Sequence, residues 1–438
     1  MGLPNISQRN KTHSQNTGQY NYTNWFCGYD AEFAQIYCSP GLPYNTTCHR
    51  YFQISDLQMV RSLYTSQRAG HIIQKPTNEF EIEQSKQNAK RKGYYVWLKR
   101  LSLYINTPMV MLRDAIWIFG RYDKSSIKQF VEEFQPDLVY CPRLFTPKLM
   151  RLERIVSKMT KAPFVAFTAD NESSLHCYSW SPLFWLRRLA IHYAFKKHVR
   201  LYRHYFTFSE EQAQDYNLEY GIPTSCLYKS GDFSDCFTPK QVNNPIRMVY
   251  AGRLYCNRWK TLAAIGAALE QLNNEKLLMT LDIYTADVMT KTQKLTLGGY
   301  KFVKVHSAIT PEQLRHEYKQ ADIALHVESF DKRFRATTHY SFSTKIIDLM
   351  ASTCAILAIC WEKHSGFVYL KSHDAAFCVS DNNEILPLLQ RICQDPTQIQ
   401  RYAERAWLCG VNNHTTKHIQ GQLKETFEKV IADNTQCS

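Results

Sequence analysis

The chain has 438 residues, enough for two or three domains, because single hydrophobic cores rarely grow beyond roughly 250 to 300 residues. With 44% hydrophobic and 21% charged residues it reads as globular rather than disordered, and no apolar run approaches the roughly 20 residues that a membrane-spanning helix needs. The formal charge of +14 is uneven: residues 1–243 hold 30 Lys and Arg against 20 Asp and Glu, and residues 244–438 hold 23 against 19, so nucleic acid, an anionic membrane surface and an anionic substrate each fit as a partner.

The N-terminus has neither a basic n-region nor an apolar h-region, so a cytoplasmic chain is expected. The 14 cysteines contain no Cys-x-x-Cys pair, which suggests neither a zinc site nor a disulfide module. Residues 5–26 read as a long polar loop turning aromatic, and the little that precedes them leaves a first strand very short or cut off. A strand is expected at 33–38, a charged excursion at 75–92, and an aromatic amphipathic helical region at 93–120, interrupted at Pro108. Alternation then becomes regular: helix 125–134, strand 138–141, helix 147–160, strand 163–168, a long helix 182–202, strand 205–208, helix 210–220 and strand 225–228.

The short, polar stretch 231–245 marks a domain boundary, after which the rhythm restarts. Strand 246–251, helix 259–272, strands 279–284 and 302–305, helix 311–319 and strand 323–327 lead to the stretch 341–359. There Ser343 and Thr344 read as helix caps, Ile346, Ile347, Met350 and Ala351 recur at helical spacing, and 355–359 is an unbroken apolar run typical of a strand buried on both faces. Strand 376–379, helix 384–393 and a helical tail 399–432 with a break near Gly410 complete the pattern. Two parallel-sheet domains in tandem are the simplest account.

Chemistry concentrates in the second half. Strand 246–251 runs into Gly252-Arg253, and Arg258 and Lys260 stand at the start of the next helix, so three cations fall at the carboxyl edge of a parallel sheet, where ligands of such folds bind. Arg grips phosphate bidentately and Lys supplies a point charge. The start of the helix after Ser343, with Lys345 on it, offers unpaired backbone N–H groups to an anion on the same edge. No Asp-x-Asp metal site, no Gly-x-Gly-x-x-Gly and no P-loop is present; Asp170-Asn171-Glu172 is the nearest match to a carboxylate metal motif. The segment 178–206 mixes Trp180, Phe184, Trp185, Tyr193 and Phe195 with Arg187, Arg188, Lys196, Lys197, Arg200 and Arg203, which suits either a half-buried helix or a membrane-surface contact.

Gly252-Arg253-Leu254 with a basic residue five positions after Arg253, a Glu-bearing strand end at Glu328, and Ser343-x-Lys345-x-x-Asp348 leading to a strand together resemble the C-terminal domain of family 4 glycosyltransferases of GT-B fold, nearest the bacterial branch that builds surface polysaccharides. The resemblance implies two Rossmann-like domains facing a cleft: an acceptor side at 1–235, a nucleotide-sugar side at 236–400, and C-terminal helices at 401–438 packing back toward the first. It implies a retaining, metal-independent hexosyl transfer with a nucleotide sugar as substrate, no separate cofactor, and a glycan or lipid-linked acceptor. Arg253, Arg258, Lys260, Ser343, Thr344 and Lys345 would hold the donor diphosphate with Gly18 approaching it, Asp348 would take the ribose, and Asp170 and Glu328 would be catalytic. Tyr340 stands where the family places the first glutamate of its pair. The competing readings are a non-catalytic basic protein that binds nucleic acid or anionic membrane, and an inactive scaffold of the same fold.

Overall fold

The computed structural model describes residues 25–38, 47–73, 106–143, 147–169, 173–175, 177–233 and 236–436. The chain forms two compact units: one made of Met1–Leu227 with Gln420–Ser438, the other of Tyr228–Ile419. The change of unit at Leu227 falls a few residues before the boundary expected at 235, and the chain returns to the first unit within the tail helices.

The first unit holds two sheets. Strands β1 (Ala34–Tyr37) and β2 (Arg50–Gln53) run parallel, with β3 (His71–Ile73) antiparallel at the edge. Strands β4 (Val139–Arg143), β5 (Phe164–Thr168), β6 (Tyr202–Thr207) and β7 (Thr224–Cys226) form a four-stranded parallel sheet in sequence order. One apolar core joins them, from Ala34 and Phe52 through Trp117 and Phe130 to Ala166 and Tyr205. Helix Asn106–Phe119 runs through Pro108 rather than breaking there, because a proline in the first helical turn forfeits an N–H that has no partner anyway. Helix Asp56–Tyr64, absent from the sequence reading, is closed by a reciprocal Ser55–Gln58 capping box.

In the second unit β8 (Ile246–Ala251), β9 (Met279–Thr285), β10 (Val303–Ser307), β11 (Ile323–Val327), β12 (Ala355–Ile359) and β13 (Phe377–Val379) build one parallel sheet ordered β10-β9-β8-β11-β12-β13. Every residue of β11 and β12 is buried, as continuous apolar runs in a sheet covered on both faces require. Strand order reverses direction between β8 and β11, and ligands of doubly wound sheets bind at the carboxyl ends of the strands beside such a switch.

Helices Lys291–Gly298, Lys332–Thr338 and Ser365–Ser372 add to the expected elements. The tail divides at Thr415, between helices Thr397–His414 and Thr416–Gln436, and not near Gly410. Gly410 stays helical and serves packing instead: a Cβ there would meet the Phe233 ring at 2.3 Å.

Candidate functional site at the switch of the second sheet

After β8 the chain passes through Gly252 to Arg253, and after β9 it reaches Asp287 at the same end of the sheet. The Asp287 carboxylate accepts from the Leu254 amide at 2.7 Å and from Arg253 Nε at 3.1 Å, while Tyr250 Oη donates to the Arg253 carbonyl at 2.7 Å. This turn is fixed from both sides, yet the Arg253 side chain stays 68% exposed. Cys256 and Asn257 both take positive φ (55° and 60°), a left-handed turn that reverses the chain into helix Arg258–Leu272.

Arg258 opens that helix and reaches across the switch to Glu328, which follows β11. The pair is bidentate, at 2.9 and 2.5 Å, with side chains 13% and 3% exposed. Burial alone would push the Glu328 carboxyl up, but the Arg258 guanidinium outweighs it and holds the group below the usual range. Thr261 Oγ1 ties down the Glu328 backbone carbonyl at 2.8 Å. The Tyr255 ring lies against both arginines, 5.0 Å from the Arg253 and 4.5 Å from the Arg258 guanidinium carbon. Lys260 pairs with Asp331 at 3.1 Å, and Asn257 Nδ2 donates to the same carboxylate at 2.6 Å, so the loop after Glu328 is held to the start of this helix.

Lys345 completes the cluster. Its ammonium donates to the Ala251 carbonyl at 3.1 Å and lies where a Cβ on residue 252 would approach it to 2.4 Å, so a larger residue there would displace the ammonium. Crowding by protein at the sheet edge, and then the like charge of Arg258, lower the Lys345 pKa to about 8. Glu328, Asp348 and Asp287 act on it in the opposite direction, so these groups share one electrostatic site. Helix Lys345–Met350 is only six residues long; Thr344 stands at its N-cap position with helical backbone angles and no side-chain capping bond. The expectation that Ser343 and Thr344 cap it through their hydroxyls is therefore corrected for Thr344, and the positive character of this edge comes from side chains more than from a helix terminus. Ser343 supplies its backbone carbonyl to the Ile346 amide at 2.9 Å. Asp348 is half exposed and pairs with buried Lys229 at 2.5 Å.

Among the site residues expected from sequence, the structure thus gathers Arg253, Arg258, Glu328, Lys345 and Asp348, with Lys260 two residues from Arg258 on the same helix. Gly18 and Asp170 lie outside the described residues. Asp287, Tyr255 and Asp331 were missed. Each follows a strand end by two to four residues, which is the only signal they carried. A second group also went unread: His326, Cys360 and His364, all buried, bring their donor atoms within 4.8 Å of one another. Cys360-x-x-x-His364 was visible, but His326 lies far from it in sequence.

Residues 253–425 match a family model described as glycosyl transferase-like. No curated protein matches the chain in sequence. Among solved structures, the GtfA/B complex is similar at TM-score 0.50 and 14% identity, over 71% of this chain and 61% of its own. A TarM variant from S. aureus in complex with fondaparinux, alpha-GlcNAc-glycerol and UDP is similar at TM-score 0.50 and 9% identity, over 70% and 59%. Sucrose-phosphate synthase from Thermosynechococcus elongatus reaches TM-score 0.52 and 14% identity, over 71% and 77%. The chain spans about three fifths of the length of the first two. At these identities the likeness is one of fold, and that fold is GT-B, with two Rossmann-like domains. The resemblance read from sequence is borne out at that level.

Proposed function

We propose that the protein is a glycosyltransferase that moves a hexosyl group from a nucleoside-diphosphate sugar to a glycan or lipid-linked acceptor, with retention of anomeric configuration. The observation that carries this reading is the convergence of Arg253, Arg258 and Lys345 on the carboxyl edge of the second sheet, beside its topological switch. As the sugar leaves, negative charge grows on the departing diphosphate. Fixed cations in a partly dry site stabilise that charge at little reorganisation cost, so the reaction needs no metal ion at the phosphates. Arg253, exposed on a fixed backbone, reaches the phosphate, and Lys345 gives it a second charge. Glu328, with both oxygens on Arg258, is a positioning residue for that guanidinium. Asp348 is placed to accept from a ribose hydroxyl on its exposed side.

The ligands of similar structures, UDP among them, support a nucleotide-sugar donor. An acceptor in surface-polysaccharide synthesis, a cytoplasmic site of action and contact with the inner face of the membrane belong to the same proposal. Helix Pro182–His198 supports the last: Leu183, Leu186 and Tyr193 are exposed on it, Trp180 is 86% exposed just before it, and Lys196 and Lys197 close it.

Calorimetric titration with UDP and GDP tests the donor site. Arg253→Ala with Lys345→Ala is expected to weaken nucleotide binding roughly tenfold or more. Unchanged affinity in that double variant, or steeply salt-dependent binding to DNA without any nucleotide binding, overturns the reading.

A further inference from the structure

His326 lies on β11, two residues before Glu328, so the extended chain directs both side chains to one face of the sheet. Cys360 is the residue that follows β12, its amide held by the Val379 carbonyl at 3.1 Å. His364 stands at the N-cap of helix Ser365–Ser372, its own amide turned back on the Trp361 carbonyl at 3.1 Å. Two adjacent strand ends and one helix start thus bring together an imidazole, a thiol and a second imidazole, exposed by 4%, 0% and 0%.

Hydrogen bonding leaves this group under-explained. His326 Nε2 is buried without a partner, although a buried imidazole nitrogen normally finds one. The Cys360 thiol reaches the His326 carbonyl at 3.8 Å and meets the Glu328 backbone as well. Gly366 lines the same space: a Cβ there would come to 3.2 Å from His326 Nε2 and 3.3 Å from His364 Cε1, so the absence of a side chain keeps the gap between the rings open.

We propose that His326, Cys360 and His364 bind a zinc ion. One thiolate and two imidazoles form a donor set that zinc takes readily, and one that calcium and magnesium, which prefer oxygen, do not. Zinc distances of about 2.0 to 2.3 Å require the three donors to close in by about 1 Å from their present spread. Binding displaces the Cys360 thiol proton to solvent, and the fourth coordination position is left for water or a neighbouring oxygen. The ion would clamp β11, β12 and the following helix together at the edge that carries Glu328. It is separate from the phosphate-binding cations, so it neither requires nor replaces them.

The test uses the purified full chain. Metal analysis is expected to find about one zinc per chain. After chelation, titration with Co²⁺ is expected to give the intense d–d absorption of a tetrahedral ion together with a sulfur-to-cobalt charge-transfer band. Cys360→Ser is expected to abolish the charge-transfer band, and His364→Gln to keep it while weakening affinity roughly tenfold or more. Because substitutions at buried positions can impair folding, the wild-type cobalt spectrum is read first. Absence of metal uptake, or uptake without the sulfur band, overturns the proposal whatever the variants do. Nucleotide binding by the same preparation is measured separately, so failure here is distinct from failure of the donor site.

Discussion

At the scale of single residues, Arg258 and Glu328 form a unit whose halves cannot be removed independently. Arg258→Ala would leave a buried carboxylate with no counter-charge, and a loss of about 3–5 kcal/mol in unfolding free energy is expected in urea. Glu328→Gln placed in that background is expected to recover much of the loss; absence of recovery would show that the damage lies elsewhere. Lys345 gives a pH dependence of defined sign. Its folded value of about 8 lies below the ordinary 10.5, so between these the folded chain holds fewer protons than the unfolded one. This group therefore adds stability as pH rises through that window, and is a strain on the fold at neutral pH. A bound diphosphate reverses the shift. Nucleotide affinity is expected to fall as pH rises from about 7 to about 9, with proton uptake on binding near pH 8 in calorimetry across buffers of different ionisation enthalpy. A flat profile would remove Lys345 from the site.

At the scale of elements, the strands of the second sheet were legible because burial on both faces writes mostly apolar runs, broken only by Arg247 and His326: 246–251, 323–327 and 355–359 were read with the bounds the structure shows. Short helices were not. Lys291–Gly298 buries only Leu297, so it has no apolar stripe, although Thr290 and Gln293 form a capping box that could have marked it. Lys332–Thr338 occupies the stretch before Tyr340, where the resemblance to known glycosyltransferases lapses, and its three basic side chains hid any periodicity. The cations of the site were legible as types at strand ends; their carboxylate partners were not, because Arg258–Glu328 and Arg253–Asp287 join positions 70 and 34 residues apart. Asp322 shows how such a long-range contact holds an element. Its buried carboxylate accepts from the Asn243 amide at 3.0 Å and the Arg247 amide at 2.7 Å, fastening the segment that enters β8 to the start of β11. Asp322→Ala is expected to cost about 2–3 kcal/mol, measured as a lower urea midpoint with unchanged m value. A change below about 0.5 kcal/mol would show that water replaces the carboxylate.

For the whole molecule, the basic excess of the first half and the exposed face of helix Pro182–His198 lead to a surface prediction. Trp180→Ser with Leu186→Ser is expected to weaken co-sedimentation with anionic phospholipid vesicles by roughly tenfold, with nucleotide binding unchanged. Equal sedimentation of both proteins would remove the membrane from the proposal. The two-unit architecture was legible from the restart of alternation near residue 246, whereas the expectation that helices at 401–438 pack back toward the first domain came from the family resemblance, since no periodicity states which core a helix joins. Residues 420–436 belong with the first unit: Gln420 Nε2 donates to the Trp25 and Cys27 carbonyls at 3.0 and 2.9 Å, and Phe427 lies against Phe26, Tyr140 and Phe206. The continuous second unit, Tyr228–Ile419, carries its whole core in one segment, whereas the aromatic core of the first unit closes only once a segment beyond the second unit supplies Phe427, so the first unit completes its packing after the second has been made.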